Sequence, residues 1–387
     1  MARDQIQRSI VEYFRFNRGS VNSIVTLWDA FKVVIRGAII NIEAGKRKQF
    51  RTRWKDLVSE LEDLEKRHKR DPSDVIYERL VAAKSRVDLH DTIVAEKALA
   101  FIKQKYFEKG AKQDKLLAWR LAKEQKQNTI SMVRKVGGQT TTDRKEISGE
   151  FYKFYQNVYT SQNPSIHDIH QFLETLHIPT FSALDNQVIS TAITEEEIVS
   201  YLQKANKNKA PGLDGLSVEF YLAYKDVLIT ELASIYNHCL DSGELPNSWS
   251  EAKIVLKLKE GKDPTLVKSY RPISLLNTDY KILTGILARR LNEVICKCIN
   301  PDQSGFIKGR QIGLNIRKAI NIIDKAQISK IPTILLFLDA TKAFDRVEWP
   351  YLFEVMKAFN IAPGFINYIR AIYSNPVAKI FVNRQLT

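Results

Sequence analysis

The chain has 387 residues, 44% hydrophobic and 27% charged, and 59 Lys and Arg against 44 Asp and Glu give a formal net charge of +15. These proportions are ordinary for a globular protein and leave room for two or three domains with a sizeable core. No run of about 18 apolar residues occurs, which excludes a membrane-spanning helix, and the polar start Met1-Ala-Arg-Asp4 has no signal-peptide core.

Cys239, Cys296 and Cys298 are too few for a disulfide framework, and Cys296-Lys-Cys298 lacks the spacing and partners of a zinc site. They read as reduced thiols on helices of an intracellular protein, cytoplasmic or nuclear. The charge is uneven. Residues 1–145 carry 32 Lys and Arg against 19 Asp and Glu, whereas residues 146–387 carry 27 against 25. A basic extension on a near-neutral body predicts salt-sensitive contact with a phosphate backbone. The plainer alternative is a solvated, Lys-rich helical surface.

Taken in chain order, residues 46–135 are predicted to be almost wholly helical. Leu57, Leu61 and Leu64 recur at helical spacing before Asp71-Pro72-Ser73 breaks the run. The period resumes through Leu80, Ala83 and Val87, then Ile93, Val94, Ala98, Phe101 and Ile102, then Leu116, Leu117 and Leu121. Long helices joined at the proline turn should pack as an antiparallel hairpin. Gly137-Gly138 marks a boundary. No internal repeat or low-complexity tract appears.

Beyond residue 146 the elements shorten. Ser148–Tyr159 is an aromatic-rich helix whose rings read as a packing face. Thr194-Glu-Glu-Glu197 is a capping box opening the helix Ile198–Ala205. Ala210-Pro-Gly-Leu-Asp-Gly215 forces a tight loop, and Phe220–Leu240 is a long helix stopped by Asp241-Ser-Gly243. Ala252–Lys259 alternates like a strand, with Ile254, Leu256 and Leu258 on one side, and turns at Glu260-Gly-Lys-Asp-Pro264.

Four segments carry candidate chemistry. Lys207-Asn-Lys209-Ala-Pro-Gly212 pairs cations with backbone that a polynucleotide can approach. Tyr270-Arg271-Pro-Ile-Ser-Leu-Leu-Asn277 sets one arginine between a strand hairpin and a long helix. With Lys259 on the preceding strand, the two cations could face a common anion. The competing role for Arg271 is to bridge carboxylates or cap carbonyls. Asp302-Gln-Ser-Gly-Phe306-Ile-Lys308-Gly-Arg310 is a basic loop before the helix Ile312–Ala326.

The fourth segment, Thr333–Asp345, is the most informative. Ile334–Leu338 reads as a buried strand that delivers the Asp339 carboxylate at its end, with Phe344 and Asp345 following. A carboxylate fixed at a strand end suits Mg²⁺, which prefers oxygen ligands. Asp after a strand also serves commonly as a helix cap or turn residue.

Together these motifs, KAPGLDG, YRPISLLN with KILTGILARRL, DQSGFIKGR and FLDATKAFDRV, resemble the reverse transcriptase of non-LTR (LINE-type) retrotransposons. The similarity covers about half the chain, from Ile193 onward, in family order. It implies an α+β fold, an incomplete right-hand polymerase preceded by a basic, mainly helical extension. The implied divisions are 1–145 extension with helical hairpin, 146–240 template-contacting region, 241–330 fingers and 331–387 partial palm. Asp339 matches the first catalytic carboxylate and Mg²⁺ ligand. Phe344 matches the residue that screens the sugar 2′ position, with Ala340 beside it at the nucleotide. Lys259 and Arg271 match finger cations that hold the triphosphate. Lys207, Lys209 and Gly212 match an N-terminal element that touches the RNA template, while Lys308 and Arg310 lie in a loop suited to contact with a nucleic-acid backbone. The implied partners are an RNA template, a DNA primer and deoxynucleoside triphosphates, with no membrane.

The sequence departs from the family after Asp345. A Gln-Gly motif and a paired Asp-Asp are absent, and the remaining acids, Glu348 and Glu354, read as solvated positions on the helix Trp349–Phe359. Ala378–Asn383 reads as a strand, with Ile380 and Val382 on one face, lacking its hairpin partner. The expectation is a fragment inactive in isolation. The alternative is a non-catalytic nucleic-acid-binding protein derived from such an element. A scaffold built on the helical hairpin is disfavoured because its apolar stripes sustain no heptad.

Overall fold

The computed structural model describes residues 2–107, 129–135, 137–340, 342–383 and 385–386. They form two compact units, Met1–Ser9 with Val34–Asn128 and Ile10–Val33 with Thr129–Thr387. Helices α1 (Ala2–Asn17) and α2 (Ile24–Arg70) run through both. No helix among the described residues is long and apolar enough to cross a membrane.

The first unit is built on the hairpin of α2 and α3 (Asp74–Phe107). Pro72 cannot continue a helix, and cations in the last turn of α2 and Asp74 at the start of α3 suit the two helix dipoles. The pairings are antiparallel: Phe50 stacks on His90 at 4.1 Å, Arg86 pairs with Glu60 at 2.8 Å, and Lys84 with Glu65 at 3.6 Å. The helix begins 22 residues before the predicted position 46, at Ile24. The expected positions Leu116, Leu117 and Leu121 lie outside the described residues.

At its far end the helical prediction fails. Val133–Arg134 is a strand, β1, paired with β2 (Thr140–Thr141), and the chain turns through Gly138 at φ +85°. Long-range partners decide this. Arg134 N donates to Thr265 O, Ile130 exchanges two hydrogen bonds with the Asn383 side chain, and Val133 is fully buried.

The second unit holds a four-stranded sheet in the order β4-β3-β5-β6. β3 (Glu251–Leu258) and β4 (Tyr270–Leu275) form an antiparallel hairpin with Leu258 opposite Tyr270. β5 (Val377–Val382) pairs parallel with β3, Ile254 opposite Ile380, and turns into β6 (Gln385–Leu386). The strand expected to lack a partner is thus central, and Ile380 and Val382 are buried. Their face packs on α4 (Arg144–Tyr159) through Phe151, Tyr155 and Tyr270, so Phe151, Phe154 and Tyr155 form the expected packing face, while Tyr152 and Tyr159 are exposed.

Local signals are realised closely in the helical part. Thr194 caps α7 (Glu195–Lys204) in the expected capping box with Glu197, and a second box joins Ser182 to Asp185 at α6 (Ala183–Ser190). The predicted helix 220–240 is broken at Tyr224 into α8 (Val218–Ala223) and α9 (Lys225–Ser242), and Gly243 stops it at φ +75°. α11 (Thr278–Ile295), which follows the short helix α10 (Asn247–Ser250), packs against α6 and α7. Its buried Arg290 forks onto Glu197 at 2.8 and 2.6 Å and also donates to Ala192 O.

The largest departure concerns residues 331–340. The predicted buried strand Ile334–Leu338 is extended and exposed, Ile334 by 94% and Leu338 by 86%. A strand exists only where a neighbour completes its ladder. β3 and β5 are flanked on both sides, and no described neighbour extends the sheet to this segment. The helix before it, α12 (Ile312–Ser329), likewise buries none of its residues. Glu348 and Glu354 depart in the other direction. Glu348 accepts from Ser161 and Gln162, and Glu354 on α13 (Trp349–Ala358) accepts from Lys357 at 2.7 Å and lies 3.0 Å from His170 on α5 (Ile166–Glu174).

Candidate nucleotide and nucleic-acid interface

The loop Lys207–Gly215 is shaped from both ends. Asn208 takes φ +59° and donates its backbone N–H to Glu219, which holds that carboxyl below its ordinary range and leaves Lys207 and Lys209 exposed. Gly212 lies against the start of α11, where a Cβ would come 2.1 Å from Asn277 Oδ1 and 2.5 Å from its backbone N. Asp214 N donates to Asn277 Oδ1 at 3.3 Å, and Thr278 donates to Leu216 O at 2.6 Å. Two motifs far apart in sequence are therefore clipped together.

Beneath this clip lies a polar centre that sequence reasoning missed. Asp279 is fully buried, and its Oδ2 accepts from Lys32 Nζ and from the indoles of Trp28 and Trp249, each at 2.8 Å. Lys32, 3% exposed, lies 3.8 Å from Asp214 and 3.7 Å from Asp29 and also donates to Ser248. Burial alone would push the Asp279 carboxyl up. The Lys32 charge and the indole donors outweigh it and hold its pKa below the ordinary value. The available signal was one cation in the apolar stretch Leu27–Ile35, one helical turn after Trp28 and three residues after Asp29.

Lys259 and Arg271 both belong to the β3–β4 hairpin region. Arg271 is exposed and directly opposite Lys257, and Lys253 is opposite Lys379 on β5. Cross-strand partners share a face, so Lys253, Lys257, Arg271 and Lys379 all stand on the side away from α4. Lys253 lies 3.8 Å over the Phe381 ring, and Lys379 pairs with Glu251 at 2.6 Å. Lys259 follows the strand, half-buried, with Nζ 3.2 Å from Lys268 O.

The segment after Asp339 approaches this hairpin. Lys342, at φ +54°, places its ammonium 4.2 Å over Phe154 and 5.4 Å over Tyr155. Burial lowers its pKa, Asp345 works against that, and the Lys259 charge adds to it. Lys259 and Lys342 therefore feel each other's charge. Phe344, 77% exposed, meets Phe306 edge to face at 5.2 Å, which joins the loop 302–310 to the segment 339–345. Lys308 is exposed. Arg310 is spent on carbonyls at the end of α11, those of Cys296, Ile299, Asn300 and Gln303.

Asp339 and Ala340 are both exposed, so the Asp339 carboxylate is not turned inward. Among the described residues, no three His, Cys, Asp or Glu side chains converge to hold a metal ion. Asp345 lies within electrostatic reach of Tyr155 and Tyr159, which burial pushes up. One carboxylate does not fit a two-ion site, which requires several oxygen ligands.

Residues 258–386 match the family described as "Reverse transcriptase (RNA-dependent DNA polymerase)". The chain is 33% identical over 250 residues to the "Transposon TX1 uncharacterized 149 kDa protein" of Xenopus laevis, and 35% identical over 164 residues to the "RNA-directed DNA polymerase from mobile element jockey" of Drosophila melanogaster. The chain carries a reverse transcriptase domain of the non-LTR retrotransposon type.

The matches take in 65% and 42% of this chain but only 19% and 18% of those relatives. A jockey polymerase of Drosophila funebris is 30% identical over 202 residues, 52% of this chain and 22% of its own length. The matched family span contains Lys259, Arg271, Lys308, Arg310, Asp339, Ala340 and Phe344, whereas Lys207, Lys209 and Gly212 precede it. The reverse transcriptase family uses divalent metal ions and acts on nucleic acid and nucleotides.

Proposed function

We propose that the chain supplies the nucleotide- and template-holding side of an intracellular RNA-directed DNA polymerase from a LINE-type element. In this reading residues 1–145 are a basic extension, 146–240 contact the template, 241–330 are fingers and 331–387 begin the palm. Lys259 and Arg271 hold the triphosphate, Phe344 and Ala340 face the sugar, and Asp339 is the first acid. Lys207, Lys209, Gly212, Lys308 and Arg310 belong to the template path, where Arg310 acts by holding its loop in shape.

The supporting observation is the cationic outer face of the sheet. Register alone sets Arg271 beside Lys257 and Lys253 beside Lys379. Like charges placed directly opposite repel unless an anion lies beside them; Glu251 serves Lys379, and for Arg271 and Lys257 a triphosphate or nucleic-acid backbone would be such an anion. Arg271 offers a planar fork to phosphate oxygens, whereas the lysines act as point charges. Asp339 would supply one oxygen ligand to Mg²⁺.

A second reading, nucleic-acid binding without catalysis, is favoured by the excess of 32 Lys and Arg over 19 Asp and Glu in residues 1–145. Primer extension on an RNA template, together with anisotropy of a fluorescent deoxynucleotide, separates the two. The first reading requires nucleotide binding that weakens at least about tenfold in Arg271→Ala or Lys259→Ala, the scale of one lost charge-assisted hydrogen bond. Retained RNA binding with no nucleotide binding would overturn it. Deoxynucleotide incorporation by the chain would overturn the second.

A further inference from the structure

Helix α2 carries six cations within ten residues, Lys46, Arg47, Lys48, Arg51, Arg53 and Lys55, and no acid lies between Glu43 and Asp56. Helical spacing gathers Arg47, Lys48, Arg51 and Lys55 on one face, where with Ala44 and Thr52 they line a shared concavity. All four are exposed. Among the described residues, the Lys and Arg ion pairs of this hairpin engage Lys46, Lys84 and Arg86; none of these four has a carboxylate at ion-pair distance, although the Arg47 charge acts on Glu43. Farther along the helix, acids do pair across the hairpin, Glu60 with Arg86 and Glu65 with Lys84.

Like charges one helical turn apart repel, so the stripe weakens its own helix unless an anion covers it. At 1.5 Å per residue, Arg47 to Lys55 spans about 12 Å, the length of roughly three to four phosphates on one strand. Of the large apolar side chains nearby, Phe50 stacks on His90 and Trp54 donates to Asp91, while Ile40 is exposed one to two turns before the stripe. Four exposed cations against two partly exposed apolar side chains, Ile40 and Trp54, suit a polyanion in water better than a lipid interface.

We propose that Arg47, Lys48, Arg51 and Lys55 form a nucleic-acid site that grips the sugar–phosphate backbone without reading bases. It does not rest on the polymerase reading, because backbone contact needs no catalysis. The source of the backbone is RNA or duplex DNA.

The test is filter binding of the full chain to a single-stranded RNA and to a duplex DNA, each over about 50 to 200 mM salt. The variant replaces all four residues by glutamine: Arg47→Gln, Lys48→Gln, Arg51→Gln and Lys55→Gln. Its control removes four charges from the last turns of the same helix: Lys66→Gln, Arg67→Gln, Lys69→Gln and Arg70→Gln. For the true ligand, the stripe variant should flatten the slope of log affinity against log salt by about 3. The wild-type advantage then shrinks about 50-fold across that range, and the control shifts the slope by less than about 1. A change confined to RNA or to DNA supports the site and names its source.

Equal slopes for the two variants would show a mere net-charge effect and overturn the proposal, as would a stripe variant with the wild-type slope. If circular dichroism shows lost helix in the fourfold variant, the pair Lys48→Gln with Lys55→Gln is measured instead. Its expected loss is about half as large, and no loss is again an overturning result.

Discussion

The Lys32 ammonium lies 2.8 Å from the Asp279 carboxylate, both side chains buried and 247 positions apart in sequence. Removing one partner of such a pair leaves an uncompensated charge indoors. Lys32→Met is therefore expected to destabilise the second unit by about 3 to 5 kcal/mol. The double variant with Asp279→Asn should cost less than the sum of the single changes by at least about 1 kcal/mol. Urea unfolding followed by the fluorescence of Trp28 and Trp249 reads this cycle, and additive costs would show that the pair is not coupled.

Two glycines are fixed by contact rather than by backbone conformation. A Cβ at Gly212 would meet Asn277 backbone atoms at 2.5 and 2.7 Å, and one at Gly285 would meet the Tyr201 ring at 2.1 Å. Gly212→Ala and Gly285→Ala should each cost about 1 to 3 kcal/mol. Adding Tyr201→Ala should relieve part of the cost at Gly285 and none at Gly212, because backbone cannot retreat as a side chain can. Thermal unfolding of the two single and two double variants tests the distinction.

Acid should weaken this fold through named carboxylates. Hydrogen bonds from Lys297 and Ser182 hold Asp185 down to about 2. A depressed folded pKa gives stability that is present above the unfolded value, near 3.9, and is lost as pH falls toward about 2. Asp279 is lowered too, so it acts in the same direction. Asp185→Asn is expected to flatten the fall in stability between about pH 4 and pH 2. Denaturant titrations at those values check it, and an unchanged slope would assign the acid sensitivity elsewhere.

Burial raises the Cys239 thiol to about 12, whereas Cys296 and Cys298 are half-buried at the end of α11. Thiolate is the reactive form. Iodoacetamide at neutral pH should leave Cys239 unmodified in the folded chain and alkylate it only on unfolding, as peptide mass mapping would show.

Features governed by neighbours a few residues away were legible in the sequence. The break at Pro72, the Thr194–Glu197 box and the stop at Gly243 follow from local hydrogen-bonding needs, and the order of motifs carried the family. Partner identity was not legible. Ile334–Leu338 has the composition of a buried strand but no described ladder neighbour, while β5 gained one in β3 across more than a hundred residues. Lys32 looked like one cation among many until folding set it against Asp279. Local propensity proposes a conformation, but burial and pairing depend on which distant groups arrive, and only the tertiary structure decides that.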